Sequence, residues 1–154
     1  MLKCALIAVA AIVFPIALLS QTAENNEFVG TWKLNVAKSK FHPGPALQSE
    51  TITIPSGQGK VEVHEVSADG KNVDWSYPVP LTQGTATPID GMEGATVTET
   101  SVGDRTIEHT WKLPDVTETG HGMLSKNGKT MTYTLKGTNN EGKPVHNSLI
   151  FEKQ

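Results

Sequence analysis

The chain of 154 residues has a single cysteine, Cys4, and a single arginine, Arg105. Because Cys4 lies in an N-terminal apolar segment that we expect to be removed, the mature chain has no cysteine for a disulfide bond, a thiolate metal site or a cysteine nucleophile. Charge of either sign is sparse, with 13 Lys and Arg against 16 Asp and Glu and a net charge of −3. These charges form no blocks, which argues against nucleic acid or an anionic membrane surface as the main partner.

The N-terminal segment MLKCALIAVAAIVFPIALLS has one early lysine, Lys3, followed by an apolar run that ends at Leu19. This arrangement is typical of a secretory signal peptide. The run is shorter than the roughly 20 residues needed to cross a bilayer, and no later segment is apolar enough to span one. We therefore predict a signal peptide at 1–20, a single domain at 21–154 without a membrane span, and export to the periplasm or the extracellular space. A retained N-terminal anchor is the alternative.

Helical periodicity is almost absent from the rest of the chain, where apolar residues recur at every second position. Such alternation predicts half-buried β-strands. Asp-Gly at 69–70 and Asn-Gly at 127–128 supply the positive φ angles of tight hairpins, so consecutive strands should pair antiparallel. The predicted strands span 29–35, 49–54, 60–67, 72–79, 94–101, 105–113, 116–125, 130–137 and 145–153.

Two stretches interrupt the alternation. The segment HPGPA at 42–46 is not expected inside a sheet, because each proline lacks a backbone donor. The segment at 78–94 is rich in Pro, Gly and Thr and is predicted to be a long loop with at most one short strand, and a candidate lid or rim. Closing the strands into a ring removes every sheet edge. We predict an all-β, antiparallel up-and-down β-barrel of about 8–9 strands, with a β-sandwich as the alternative.

The segment FVGTWKL at 28–34 resembles the first-strand signature of the calycins, the superfamily of lipocalins and fatty-acid-binding proteins, in which Gly-x-Trp begins the barrel. The closing segment LIFEK at 149–153 resembles the last strand of the fatty-acid-binding group. GTWKLN, SKNGKTMT and FEKQ together resemble small secreted bacterial proteins of unassigned function that are described as lipocalin-like. The resemblance implies a calycin barrel.

The fatty-acid-binding pattern is incomplete in this chain. The helical pair that follows the first strand in that group is replaced by the short segment FHPGP at 41–45. The Arg and Tyr that hold a ligand carboxylate in its last strand are replaced by Leu149 and Phe151, and Arg105 is predicted to lie in a turn. We therefore do not expect a fatty acid held by its head group.

Strand alternation also sorts side chains by face. Phe28, Gly30, Trp32 and Leu34 are predicted on the inward face of the first strand, where Trp32 plugs one end and Gly30 permits close packing, so both are structural. Apolar walls with a few polar groups are typical of a small-molecule site. The residues predicted to bind a ligand are Trp75, Tyr77, His109, Trp111, Met131, Tyr133 and Asn147.

The sequence gives little support for a catalytic site or a metal site. His109 is the one ionisable residue predicted on an apolar face. His121, in Gly-His-Gly, is predicted on a flexible, bulged strand with a structural or solvent-facing role. The histidines show no metal-ligand spacing, so we predict no metal and no cofactor. Glu99, Glu108 and Glu118 are predicted to form a solvated ladder with Lys112 on an outer face.

We predict a secreted, lipocalin-like protein that holds a small apolar or aromatic molecule in its barrel. One alternative is an enzyme that uses the cavity with His109 as acid or base. The other is a solid barrel that acts through its surface as an envelope interaction module or an inhibitor, because the interior of an eight-strand barrel is only just filled by side chains. The oligomeric state is not specified by the sequence.

Overall fold

A computed structural model describes residues 26–154, and the predicted signal peptide at 1–20 lies outside the described residues. The described chain forms ten strands and one short 3-10 helix, Val36–Lys38. No helix in this part of the chain is long and apolar enough to cross a membrane. The strands are β1 (Gly30–Leu34), β2 (Ser49–Ile54), β3 (Gly59–Val66), β4 (Asn72–Val79), β5 (Thr87–Pro88), β6 (Thr96–Val102), β7 (Thr106–Lys112), β8 (Val116–Leu124), β9 (Thr130–Asn139) and β10 (Pro144–Lys153).

All ten strands belong to one antiparallel sheet, in the order β4-β3-β2-β1-β10-β9-β8-β7-β6-β5. β1 pairs with β10 as well as with β2, and Trp32 lies opposite Lys153. β4 meets the segment just after β5 through Ser76 and Asp90, whose backbones exchange two hydrogen bonds of 3.0 and 2.8 Å. The sheet is therefore a nearly closed up-and-down barrel, which confirms the predicted fold and not the sandwich.

The nine predicted strands correspond to nine of the ten observed strands. The additional strand, β5, lies within the predicted 78–94 loop and consists of only two residues. The predicted bulge at Gly120-His121-Gly122 is wrong, because β8 keeps a regular register with both β7 and β9. The register shifts instead on β6, between Glu99 and Ser101.

The Gly-x-Trp motif packs one part of the barrel interior. The Trp32 side chain is completely buried, and its indole N–H donates a 2.7 Å hydrogen bond to the carbonyl of Phe28. The Lys153 ammonium lies 5.1 Å from the centre of the indole ring and donates to the carbonyl of Glu27. Gly30 has a φ of +130°, and a Cβ there would lie 2.9 Å from the Cε of Lys153. Gly30 thus leaves room for the lysine that covers Trp32.

Candidate functional site

The barrel contains a cavity of about 660 Å³. Small-molecule sites in proteins occupy roughly 300–1,000 Å³. The alternative of a solid barrel predicted an interior filled by side chains. That prediction is wrong, because the cavity is present. All of the residues predicted to bind a ligand line the cavity, although a role in binding stays a prediction for each: Trp75, Tyr77, His109, Trp111, Met131, Tyr133 and Asn147.

Three aromatic rings from β4 and β7 form a cluster on one side of the cavity. Trp75 and Tyr77 alternate along β4, so both point inward, and their rings stack with centroids 6.2 Å apart and planes inclined by 22°. Trp111 on β7 meets each of them edge to face, with 5.7 Å between centroids. Edge-to-face and offset contacts are the preferred geometries of aromatic pairs. The cluster provides an aromatic, mostly apolar wall to the cavity.

A hydrogen-bond network joins this cluster to β9. The hydroxyl of Tyr133 lies 2.9 Å from Nε1 of Trp111 and 3.0 Å from Nδ1 of His109. An indole N–H only donates, so the hydroxyl accepts from Trp111, while its role toward His109 depends on the imidazole tautomer. Burial lowers the pKa of His109 to about 4, which keeps its ring neutral near pH 7. Burial also raises the pKa of Tyr133.

Two glycines on β8 make room for the ring of Tyr133. A Cβ at Gly120 would overlap the Tyr133 hydroxyl and lie 2.6 Å from its Cε1. A Cβ at Gly122 would lie 2.9 Å from Cδ2 of the same ring. Gly120 and Gly122 therefore face the barrel interior, whereas His121, which lies between these two glycines, is on the opposite face of the strand.

Four glutamates that were not predicted to face the interior also line the cavity. They are Glu50, Glu65, Glu99 and Glu118. The predicted outer ladder is therefore wrong for Glu99 and Glu118. Glu99 lies opposite His109 and Glu118 lies opposite Trp111 in the sheet, which places both on the inward face, while Glu108 alternates with His109 and faces outward.

The environment of these carboxyl groups favours their protonated form. Burial, followed by the charge of Glu65, raises the pKa of Glu50 to about 8. Burial raises the pKa of Glu118 to about 7 and also raises the pKa values of Glu65 and Glu99. The dominant cause is the loss of water around each carboxylate, which disfavours the charged form.

Strand alternation predicts an inward position for three of these glutamates, because each lies two positions from an inward-facing residue. Glu50 precedes the inward-facing Ile52 by two positions, and Glu65 follows the inward-facing Val63 by two. Glu118 likewise precedes Gly120 by two, and Gly137 across the sheet has no side chain because a Cβ there would lie 2.6 Å from the Cβ of Glu118.

The two other residues predicted to bind a ligand, Met131 and Asn147, lie outside the aromatic cluster and its hydrogen-bond network. Met131 is buried in the core cluster around Trp32. Asn147 lines the cavity and accepts a 2.9 Å hydrogen bond from the backbone N–H of His42. Leu149 and Phe151, which replace the carboxylate-holding pair, line the cavity as apolar wall. Within residues 26–154, no group of three or more His, Cys, Asp or Glu side chains could hold a metal ion.

The chain matches no protein-family model. It also matches no curated protein. Two crystal structures of the fluorescent protein UnaG are similar to the barrel, each with 18% sequence identity. A point mutant of UnaG aligns with a TM-score of 0.52 over 83% of this chain and 96% of that one, and the wild type with a TM-score of 0.50 over 84% and 99%. Together with the nearly closed meander, this likeness confirms the predicted fold, a lipocalin-like antiparallel β-barrel.

Proposed function

We propose that this protein binds one small molecule with an apolar or aromatic body inside the barrel. The observation that carries the proposal is the cavity of about 660 Å³ with an aromatic cluster on its wall. A ligand that buries about 300 Å² of apolar surface gains roughly 7 kcal/mol from burial, before the entropic cost of association. Export of the protein is part of the proposal and is supported by Lys3 and the apolar run that follows it.

The test is a titration with the neutral fluorophore N-phenyl-1-naphthylamine, whose emission rises in an apolar site. Ile52 and Leu135 line the cavity and pack against both core clusters, so they lie near its middle. Replacing both by Trp adds two indole rings to that space. Affinity should fall about tenfold or more, because a filled cavity leaves the probe little apolar surface to bury.

Thr53→Trp combined with Lys136→Trp is the matched control, because both residues lie on the outward face of the same two strands. This control should bind the probe as the unaltered protein does. Equal binding by the filled variant, or no binding by the unaltered protein, would contradict the proposal. Circular dichroism establishes that both variants retain the sheet.

An enzyme that uses the same cavity is the second candidate, favoured by the position of His109 next to Tyr133. His109→Phe distinguishes the two. A binding protein should retain affinity for the apolar probe within about threefold, because Phe preserves the apolar contact surface. An enzyme with His109 as acid or base should lose a factor of about 10²–10⁴ in rate on its substrate.

A further inference from the structure

Carboxyl groups without a basic partner project into a cavity whose walls are otherwise mostly apolar. From this arrangement we infer that the ligand carries a cationic group, such as a protonated amine, on its apolar or aromatic body. The inference rests on the proposed binding function and adds the charge of the ligand to it.

Glu50 and Glu118 are the two acids that argue most strongly for a ligand. Each side chain is only 8% exposed, and each lines the cavity. In the described part of the chain, neither carboxyl takes part in an ion pair, and no side-chain hydrogen bond stabilises its charged form. Buried polar groups in proteins are nearly always hydrogen-bonded, so an unpartnered carboxyl facing a cavity indicates a missing donor.

No Lys or Arg side chain of the described residues pairs with these acids. Among the residues that the structure describes, no Lys or Arg lines the cavity. Arg105 pairs with Glu27 at 3.0 Å, and Lys60 pairs with Asp90 at 2.6 Å on the barrel surface. His109 is in the cavity, but burial lowers its pKa to about 4, so it carries no compensating charge at neutral pH.

The acids are distributed so that one ligand group can reach more than one of them. Glu50 and Glu65 are direct cross-strand partners on β2 and β3 and face the same side of the sheet. Two carboxyl groups at such a site repel each other when both ionise. A cation between them removes this repulsion, whereas a neutral group leaves it in place.

The aromatic cluster favours the same kind of ligand. The faces of Trp75, Tyr77 and Trp111 carry negative electrostatic potential, and a cation over such a face is attracted to it. An anionic ligand would meet four carboxyl groups with no basic residue to neutralise it. The cavity therefore selects against anions as well as for cations.

Three dansyl probes of nearly equal length test the inference at about pH 8. Dansylcadaverine carries a terminal ammonium, dansyl-pentylamide ends in a methyl group, and dansyl-aminohexanoate ends in a carboxylate. Hydrogen bonds to charged groups are strong enough that dansylcadaverine should bind roughly tenfold or more tightly than the neutral probe, and the carboxylate probe more weakly than both.

Variants of the acids locate the effect. In Glu50→Gln combined with Glu118→Gln, the preference for the cation should fall about tenfold, while binding of the neutral probe should stay within about twofold. Glu62→Gln combined with Glu108→Gln removes two outward-facing carboxylates and should leave the preference unchanged. Because Gln has the shape of Glu and no charge, both variants should keep the fold, which melting curves verify.

The outcomes separate this inference from the proposal beneath it. If the neutral probe binds as tightly as the cation, or if the preference survives in the Glu50/Glu118 variant, the inference is wrong and binding in the cavity still stands. If none of the three probes binds, the proposed function fails and the inference fails with it.

Discussion

The indole N–H of Trp111 donates a 2.9 Å hydrogen bond to the hydroxyl oxygen of Tyr133 inside the barrel. The two residues lie on β7 and β9, which are separated by β8 in the sheet. Contact across an intervening strand is possible because Gly120 leaves the Tyr133 ring room to lean over β8. The bond makes the Tyr133 hydroxyl oxygen an acceptor from Trp111 at a position 3.0 Å from Nδ1 of His109.

Tyr133→Phe should destabilise the protein by about 1–3 kcal/mol, because it leaves the buried Trp111 donor and His109 without their partner. Urea unfolding followed by circular dichroism measures the change. The matched control is Tyr77→Phe, because Tyr77 is also a buried residue and its hydroxyl forms no hydrogen bond to another side chain within residues 26–154. If Tyr77→Phe loses as much stability as Tyr133→Phe, the hydrogen-bond network does not stabilise the fold.

Gly120→Ala should cost about 1–3 kcal/mol in stability, because the added methyl overlaps Tyr133 and forces it to move. The Trp111 hydrogen bond should break at the same time, which a change in near-ultraviolet circular dichroism would report. Thr119→Ala, at the neighbouring exposed position on β8, is the control and should change neither signal. An unaltered near-ultraviolet spectrum in Gly120→Ala would contradict this role of the glycine.

Glu50→Gln should increase stability at high pH and have little effect at low pH. The folded protein raises the pKa of Glu50 from 4.5 to about 8. Its contribution is therefore fully present below pH 4.5 and is lost as the pH rises through about 8. Removing the ionisable group should stabilise the protein by about 2–4 kcal/mol near pH 9 and by much less near pH 5.

Urea unfolding of both proteins between these pH values measures that difference. Glu62→Gln, an exposed acid on β3, is the control and should give an almost pH-independent difference. If Glu50→Gln gives a constant difference at all pH values, Glu50 is not buried as an uncharged acid.

The affinity for dansylcadaverine should increase as the pH rises from about 6 to about 9. The cation binds the ionised carboxylates, and the pKa values of Glu118 and Glu50 are about 7 and about 8, so ionisation increases across this interval. Glu65, Glu99, His109, Tyr77 and Tyr133 also face the cavity. Of these, Glu65 and Glu99 have pKa values that burial raises, the two tyrosines have raised pKa values and stay protonated, and His109 stays neutral.

Calorimetry in buffers of different ionisation enthalpy gives a second measure of the same coupling. Proton release should accompany cation binding near pH 7, and the neutral probe should release none. Cation binding that is independent of pH, without proton release, would rule out the buried glutamates as its partners.

Much of the fold follows from the sequence because strand alternation and turn residues are local signals. The Asn-Gly turn at 127–128 shows this, since Gly128 adopts a φ of +65° between β8 and β9. The same alternation placed Trp75, His109 and Tyr133 on the inward face, and these side chains do line the cavity.

The acids were missed because a glutamate in a strand is ordinarily read as solvent-facing. Alternation along β8 outweighs that rule for Glu118, which shares a face with Gly120 and lies opposite Trp111 in the sheet. The volume of the cavity could not be predicted from local sequence signals either, because it depends on how the whole sheet curves and closes at Ser76 and Asp90.

Native mass spectrometry of the protein purified from its host without denaturation tests the central claim most directly. We predict one additional mass on each chain, bound one to one, that is retained by Thr53→Trp/Lys136→Trp and lost from Ile52→Trp/Leu135→Trp. Equal ligand mass on both variants, or none on the unaltered protein, would contradict the account of the barrel as a small-molecule-binding cavity.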